Sequence, residues 1–244
     1  MEKRTIPLRV KDLGYSIRRF YVDDFYTRHV SYFNPDMKIL DVGGKKKNKR
    51  GYFDIEDYPF LVEYANISPE TEPDYLCDAA ALPCATGSFD GVLCCEVLEH
   101  VPDPKAILTE IYRVLKPGGK ALIAVPFMYH IHADPWDYGR YTEHYWRVVG
   151  RDVGFEISDL EYQGSIYAVM ANLIKIWAVE KLSDNRLGKL KRFSLRKLAV
   201  FLVKALMARE FKGVMDNRVF MGHTTGFGIV MQKAGDYVGF TVEV

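Results

Sequence analysis

Apolar positions follow two rhythms along this chain. Between residues 15 and 33, YSIRRFYVDDFYTRHVSYF, they recur at helical spacing and predict one or two helices. Short unbroken apolar runs then alternate with longer periodic stretches. MKILDVGG (37–44), FLVEYANIS (60–68), DYLCD (74–78) and KALIAVPF (120–127) read as buried strands. SFDGVLCCEVLEHV (88–101) begins as a strand and turns helical near its end. In PKAILTEIYRVLKPGG (104–119), Ile107, Leu108, Ile111, Val114 and Leu115 form one stripe. Pro104 lies near its first turn and Pro117, Gly118 and Gly119 end it, so the segment predicts a helix. FEISDLEYQG (155–164) and GFGIVMQKA (226–234) read as late strands. Two amphipathic helices, at about 165–182 and 195–211, lie between them.

Strands alternating with helices predict an α/β fold with a doubly wound, mostly parallel sheet. The expected layout is an N-terminal helical segment (1–36), a core (37–164), a helical insertion before the last strand (165–215), and the last strand with a tail (216–244). Hydrophobic residues make up 48% of 244, enough for a sizeable core, and the net charge of +1 gives no reason to expect nucleic acid. The start of the chain has no apolar run of signal-peptide type, and no stretch has 18 consecutive apolar residues. Cys77, Cys84, Cys94 and Cys95 lack paired CxxC spacing and read as reduced thiols, so the chain is expected to be cytoplasmic. Charge is uneven: residues 165–215 hold eleven Lys or Arg against three Asp or Glu. This basic insertion is open to several readings: a solvated face, a lid over the acceptor, a homodimer interface, or a docking surface for an anionic substrate or membrane headgroups.

Ligands of open parallel sheets bind beyond the carboxyl ends of the strands. The first strand ends in Asp41-Val42-Gly43-Gly44, where missing Cβ atoms let a ligand approach the backbone. Asn66, Ile67 and Ser68 follow the second strand, and Asn66 is placed to meet hydroxyl groups. Asp78, Ala79 and Leu82 follow the third; the carboxylate suits an exocyclic amine and the two apolar groups suit a flat ring. Cys95, Glu96 and His100 follow the fourth, with His100 read as a satisfied histidine at a helix start.

ILDVGG, DAAALPCATGSFDGVLCCEVLEHVPDP and EIYRVLKPGGKALIAVPF together resemble the successive motifs of class I S-adenosylmethionine-dependent methyltransferases, in particular the type 11 group. The resemblance covers roughly residues 37–164, with a weaker echo at 226–234. It implies a Rossmann-like seven-stranded sheet ending in an antiparallel hairpin, and S-adenosylmethionine as cofactor. Asp41, Gly43 and Gly44 would line its methionine end, Asn66 its ribose, and Ile67, Asp78, Ala79 and Leu82 its adenine, with Cys95 and Glu96 beneath it. The chain departs from the pattern twice. Only Gly43-Gly44 remain of a GxGxG-like loop, with Lys45 to Lys47 following, and Asn66 stands where an acidic residue is usual.

After the fifth strand comes PFMYHIHADPWDYGRYTEHYW, expected to be the acceptor wall. Its candidates are His130 or His132 as general base, Asp134 or Asp137 to orient the imidazole, Tyr141 as an aromatic wall, and Arg140 to hold an anionic group or pair with Asp137. The expected reaction is methyl transfer to a hydroxyl of a small polar or anionic acceptor, with a sugar, nucleotide-sugar or glycan as the named candidates. A non-catalytic binding or regulatory protein of the same fold is the alternative. HIHAD also has the H-x-H-x-D outline of metallo-β-lactamase-like hydrolases, but Pro135 follows where that family has His, and only His144 and His223 remain downstream. No resident metal is expected. A nicotinamide dehydrogenase is disfavoured because the first loop lacks GxGxxG.

Overall fold

The computed structural model describes residues 15–47, 49, 51–132, 136–183, 188–212 and 217–235. Helix α1 (Ile17–His29) opens the described chain, capped by Ser16 Oγ accepting from the Arg19 amide at 2.9 Å. Strands β1 (Lys38–Val42), β2 (Leu61–Asn66), β3 (Tyr75–Leu76) and β4 (Phe89–Cys95) follow. Then come helix α2 (Pro104–Val114), strand β5 (Leu115–Pro126), helix α3 (Glu143–Val153) and strand β6 (Phe155–Tyr162). Helices α4 (Ile166–Ser183), α5 (Lys189–Glu210) and the short α6 (Arg218–Gly222) precede strand β7 (Gly226–Lys233). The seven strands form one sheet in the order β3-β2-β1-β4-β5-β7-β6. Strands β1 to β5 are parallel, and β7 lies antiparallel between β5 and β6.

Side chains leave a strand alternately to its two faces, and both faces of this sheet are covered. On one face, Leu40, Val42, Val92, Cys94, Ile123 and Ile229 pack with Ile107, Leu108 and Ile111 of α2 and with Trp146 and Val149 of α3. On the other, Ile39, Leu93, Leu122, Ala124 and Val230 pack with Val22, Phe25 and Tyr26 of α1. The α4–α5 pair does not reach that core; Ala168, Ala171, Val203 and Met207 pack instead on Ile17, Phe20 and Tyr21 of α1. Helix α1 is therefore the layer between the sheet and the basic helices.

The structure departs from the sequence reading at three elements. The helix expected over 104–119 stops at Val114, because Pro117 disfavours helical backbone before it; the chain enters β5 at Leu115, with left-handed Gly118 within it. Helix α5 starts at Lys189, after Gly188, rather than near 195. Helix α3 was not expected at all, although Thr142 at its start and left-handed Gly154 at its end are ordinary helix boundaries.

Phe25 packs against β7, where a Cβ on Gly228 would come within 2.5 Å of its ring. Phe25→Ala is expected to cost about 3–5 kcal/mol, read as a lower denaturant midpoint at unchanged slope. Gly228→Val should also lift α1 off the sheet; an unchanged midpoint in both variants would remove α1 from the core.

Candidate active site

At the carboxyl ends of β1 to β4 lies an open cleft of about 1320 Å³. It sits at the switch point between β1 and β4, where the strand order reverses. Asp41, Gly43, Gly44, Asn66, Ile67, Asp78, Ala79, Cys95 and Glu96 all line it. Leu82 does not; it is buried beneath in the core, its amide donating to Glu110 at 2.8 Å. The two glycines are sterically required. Gly43 has φ +79°, and a Cβ there would lie 2.3 Å from Val97 Cγ2. A Cβ on Gly44 would lie 2.1 Å from the Asp41 carboxylate. Burial away from water pushes the Asp41 carboxyl up to about 7.

Asn66 explains its own departure from an acidic residue. Its side-chain amide donates to the carbonyls of Gly43 at 3.0 Å and Gly44 at 2.9 Å, and its oxygen accepts from the Ser68 amide at 2.9 Å. The residue latches the glycine loop to the end of β2, and a carboxylate has no proton to donate there. Asp78 likewise bonds within its own turn, its exposed carboxylate accepting from the Ala80 amide at 2.9 Å. Of the lysines, Lys46 and Lys47 pair with Asp74 and Glu72 at 2.5 and 2.7 Å, while Lys45 lines the cleft.

Helix α1 supplies a wall that the sequence reading did not assign to the site. Arg18 is 2% exposed, its guanidinium 2.6 Å from Glu96 Oε1 and bonded to Gln163 Oε1. Arg19 reaches Cys95 Sγ at 3.5 Å. Asp23 accepts from the Tyr52 amide at 2.7 Å and from the Tyr15 hydroxyl, and burial holds its carboxyl up to about 6. The available signal was Arg18 itself, a charge on the same helical stripe as Val22, Phe25 and His29. Glu96 adopts a left-handed backbone, φ 53°, at the tip of β4. Strain of that kind concentrates at functional turns.

Of the acceptor-wall candidates, His132 lines the cleft and Asp134 lies outside the described residues. His130, Arg140 and Tyr141 do not line the cleft. The carbonyl of His130 accepts from Arg140 and from His132 Nδ1, and burial lowers its imidazole pKa. Arg140 grips Asp137 through both nitrogens at 2.5 and 2.8 Å, which holds that carboxyl down at about 2. Asp137 in turn accepts from the His132 amide at 2.9 Å and stands 3.4 Å from its Nδ1. Tyr141 stacks on Tyr145 at 4.3 Å and meets Trp146 edge-on, a packing role. His100, Trp136 and Tyr138 complete this end of the cleft.

Residues 25–123 match a family model described as a methyltransferase domain. A ubiquinone biosynthesis O-methyltransferase of Xanthomonas oryzae pv. oryzae (strain PXO99A) is 62% identical over 39 residues, 16% of each chain. A demethylmenaquinone methyltransferase of Renibacterium salmoninarum is 35% identical over 98 residues, 37% of this chain and 41% of that one. The matches thus span less than half the length of these relatives. A SAM dependent methyltransferase from Archaeoglobus fulgidus superposes with TM-score 0.54 over 88% of this chain and 94% of that one at 15% identity, a likeness of fold.

Asn66→Asp is expected to destabilise the protein by about 1 kcal/mol, because two half-buried carbonyls lose their donor and face a charge. Chemical denaturation reads this directly; a variant as stable as the parent would mean the latch contributes nothing.

Proposed function

We propose that this chain, whose residues 25–123 are a methyltransferase domain of the type 11 group, transfers a methyl group from S-adenosylmethionine to a hydroxyl of a small-molecule acceptor. The observation that carries the reading is the cleft over Gly43-Gly44, with the Asp41 carboxyl at one end and imidazoles at the other. Its residues fit the cofactor. Two absent Cβ atoms leave room against the backbone, Asp41 suits an ammonium group, and Lys45 and Arg19 suit a carboxylate. S-adenosylmethionine supplies, when bound, an electrophilic methyl carbon on a sulfonium; the chain supplies alignment and shields the reacting atoms from water.

His132 is the expected base that lines the cleft, so it takes the hydroxyl proton in the metal-free protein. Asp137, kept ionised by Arg140, orients the ring from its Nδ1 side. An O-methyltransferase among the relatives supports the hydroxyl. Neither relative's name points to a sugar or glycan, so the acceptor is taken as a small molecule. The α4–α5 pair packs on α1, and none of its described residues lines the cleft, so it is proposed as an interface; among the described residues no helix is long and apolar enough to cross a membrane.

Calorimetric titration with S-adenosylhomocysteine tests the reading. Binding is expected, and no heat together with no thermal shift at millimolar ligand would overturn it. The pH dependence follows from Asp41. Its folded pKa is raised from 3.8 to about 7, so below about pH 7 the carboxyl is protonated and must lose that proton to meet an ammonium. Affinity should therefore fall as pH drops through about 7, by at most roughly tenfold per unit. By the same linkage the unliganded protein gains stability from this group as pH falls from about 7 toward 4. Asp41→Asn should flatten both dependences.

A further inference from the structure

Three ligand-type side chains, Glu99, His100 and His132, converge beside the cleft. Glu99 follows β4, 2% exposed, and neither carboxylate oxygen accepts a hydrogen bond. Two imidazoles face it, and Glu96, Arg18 and Arg140 are the charged groups that act on it. His100 Nε2 stands 3.5 Å from Glu99 Oε1 and His132 Nε2 stands 3.9 Å from the same oxygen. The other nitrogen of each ring is committed. His100 Nδ1 meets the Trp136 carbonyl, and His132 Nδ1 meets the His130 carbonyl at 3.2 Å and Asp137 Oδ2 at 3.4 Å. A carbonyl only accepts, so each Nδ1 carries the proton. In each neutral ring Nε2 is then a bare lone pair aimed at a carboxylate. Three acceptors facing one another in a buried site repel unless a proton or a cation sits among them, and donor atoms this close suit either.

We propose that Glu99, His100 and His132 form a binding site for a divalent transition-metal ion of the zinc type. The donor atoms lie within 4.8 Å of one another. An ion about 2.1 Å from each of its tetrahedral ligands holds them roughly 3.4 Å apart, so only small shifts are needed to close the site. Two imidazoles and one carboxylate suit zinc, cobalt or iron, and three protein ligands leave a position open. The supporting shell is in place: Asp137 and the Trp136 carbonyl fix the two rings by their outer nitrogens, and Arg140 fixes Asp137. Tyr138 donates its amide to the Glu99 carbonyl at 2.7 Å, tying the wall segment to the ligand turn. Both histidines line the cleft, so the open position faces the acceptor end.

The role of the ion, unlike its binding, rests on the methyltransferase reading. An acceptor hydroxyl coordinated there is acidified and gives its proton to water, while His132 serves as ligand rather than base. The oxygen then forms its bond to the methyl carbon as the carbon–sulfur bond breaks. The sulfur keeps the electron pair, leaving S-adenosylhomocysteine and one proton.

The test is equilibrium dialysis of chelator-treated full chain against Zn2+ and Co2+, with bound metal counted by mass spectrometry and Co2+ followed by its visible absorption. One ion per chain is expected, with a rise in melting temperature. Glu99→Gln and His132→Asn should each weaken binding on the order of 100-fold or more. Glu99→Gln keeps the size and shape of the side chain and brings no charge into the buried site, so without metal it should melt close to the parent, which separates loss of a ligand from loss of the fold. Absence of binding, or binding that Glu99→Gln leaves unchanged, overturns the site. S-adenosylhomocysteine titration of the same preparations keeps the two proposals apart: binding of this nucleoside without metal binding sinks the ion site alone, and the reverse sinks the methyltransferase reading alone.

Discussion

The pairing of Arg18 with Glu96 is the contact on which the cleft depends. A guanidinium removed from water costs several kcal/mol, offset only if its donors are met. Glu96 and Gln163 meet them, one from the tip of β4 and one from just beyond β6. The ion pair thereby fixes α1 at the carboxyl edge of the sheet, where Arg19 and Asp23 become part of the site. It also holds Glu96 in its left-handed backbone, which sets the direction of the chain toward Glu99 and His100. Breaking such a pair from one side leaves a buried charge uncompensated, the costly case.

Much of the fold was legible because its signals are local. Each strand is a short apolar run closed by a residue that cannot continue it, and the order of runs specifies the winding. The late strands stood out by the same rule. Helix α3 was missed because its segment is rich in His, Tyr and Arg, whose chemistry draws the eye from the Trp146, Val149 and Gly150 spacing that packs it on the sheet.

The site was half legible. Residues that follow a strand directly, such as Gly43 or Ala79, are placed by topology, so sequence position predicts their location. Residues whose role depends on what the side chain meets are not. Nothing local announces that Asn66 spends its amide on Gly43 and Gly44 rather than on a ligand. Nor could sequence show that Glu99 and His132, 33 positions apart, would face one another. The wall motif HIHAD suggested alternating donors; in the fold one of its histidines joins two residues from another loop. The fold alone leaves activity open, since one scaffold hosts many chemistries, and the assignment rests on which groups line the cleft.

The contacts of Arg18 also bear on the order in which the site is built. Its partners come from residues 96 and 163, and a Cβ on Gly226 of β7 would lie 2.5 Å from its guanidinium carbon. These are among the longest loop closures in the chain, and such contacts form after local ones. Helix α1 precedes every strand of the sheet, yet its arginine stays in water until β7 has entered the sheet between β5 and β6. The cleft is thus completed by α1 and β7 together, and a chain lacking β7 holds the loops after β1 to β4 without the wall that closes them.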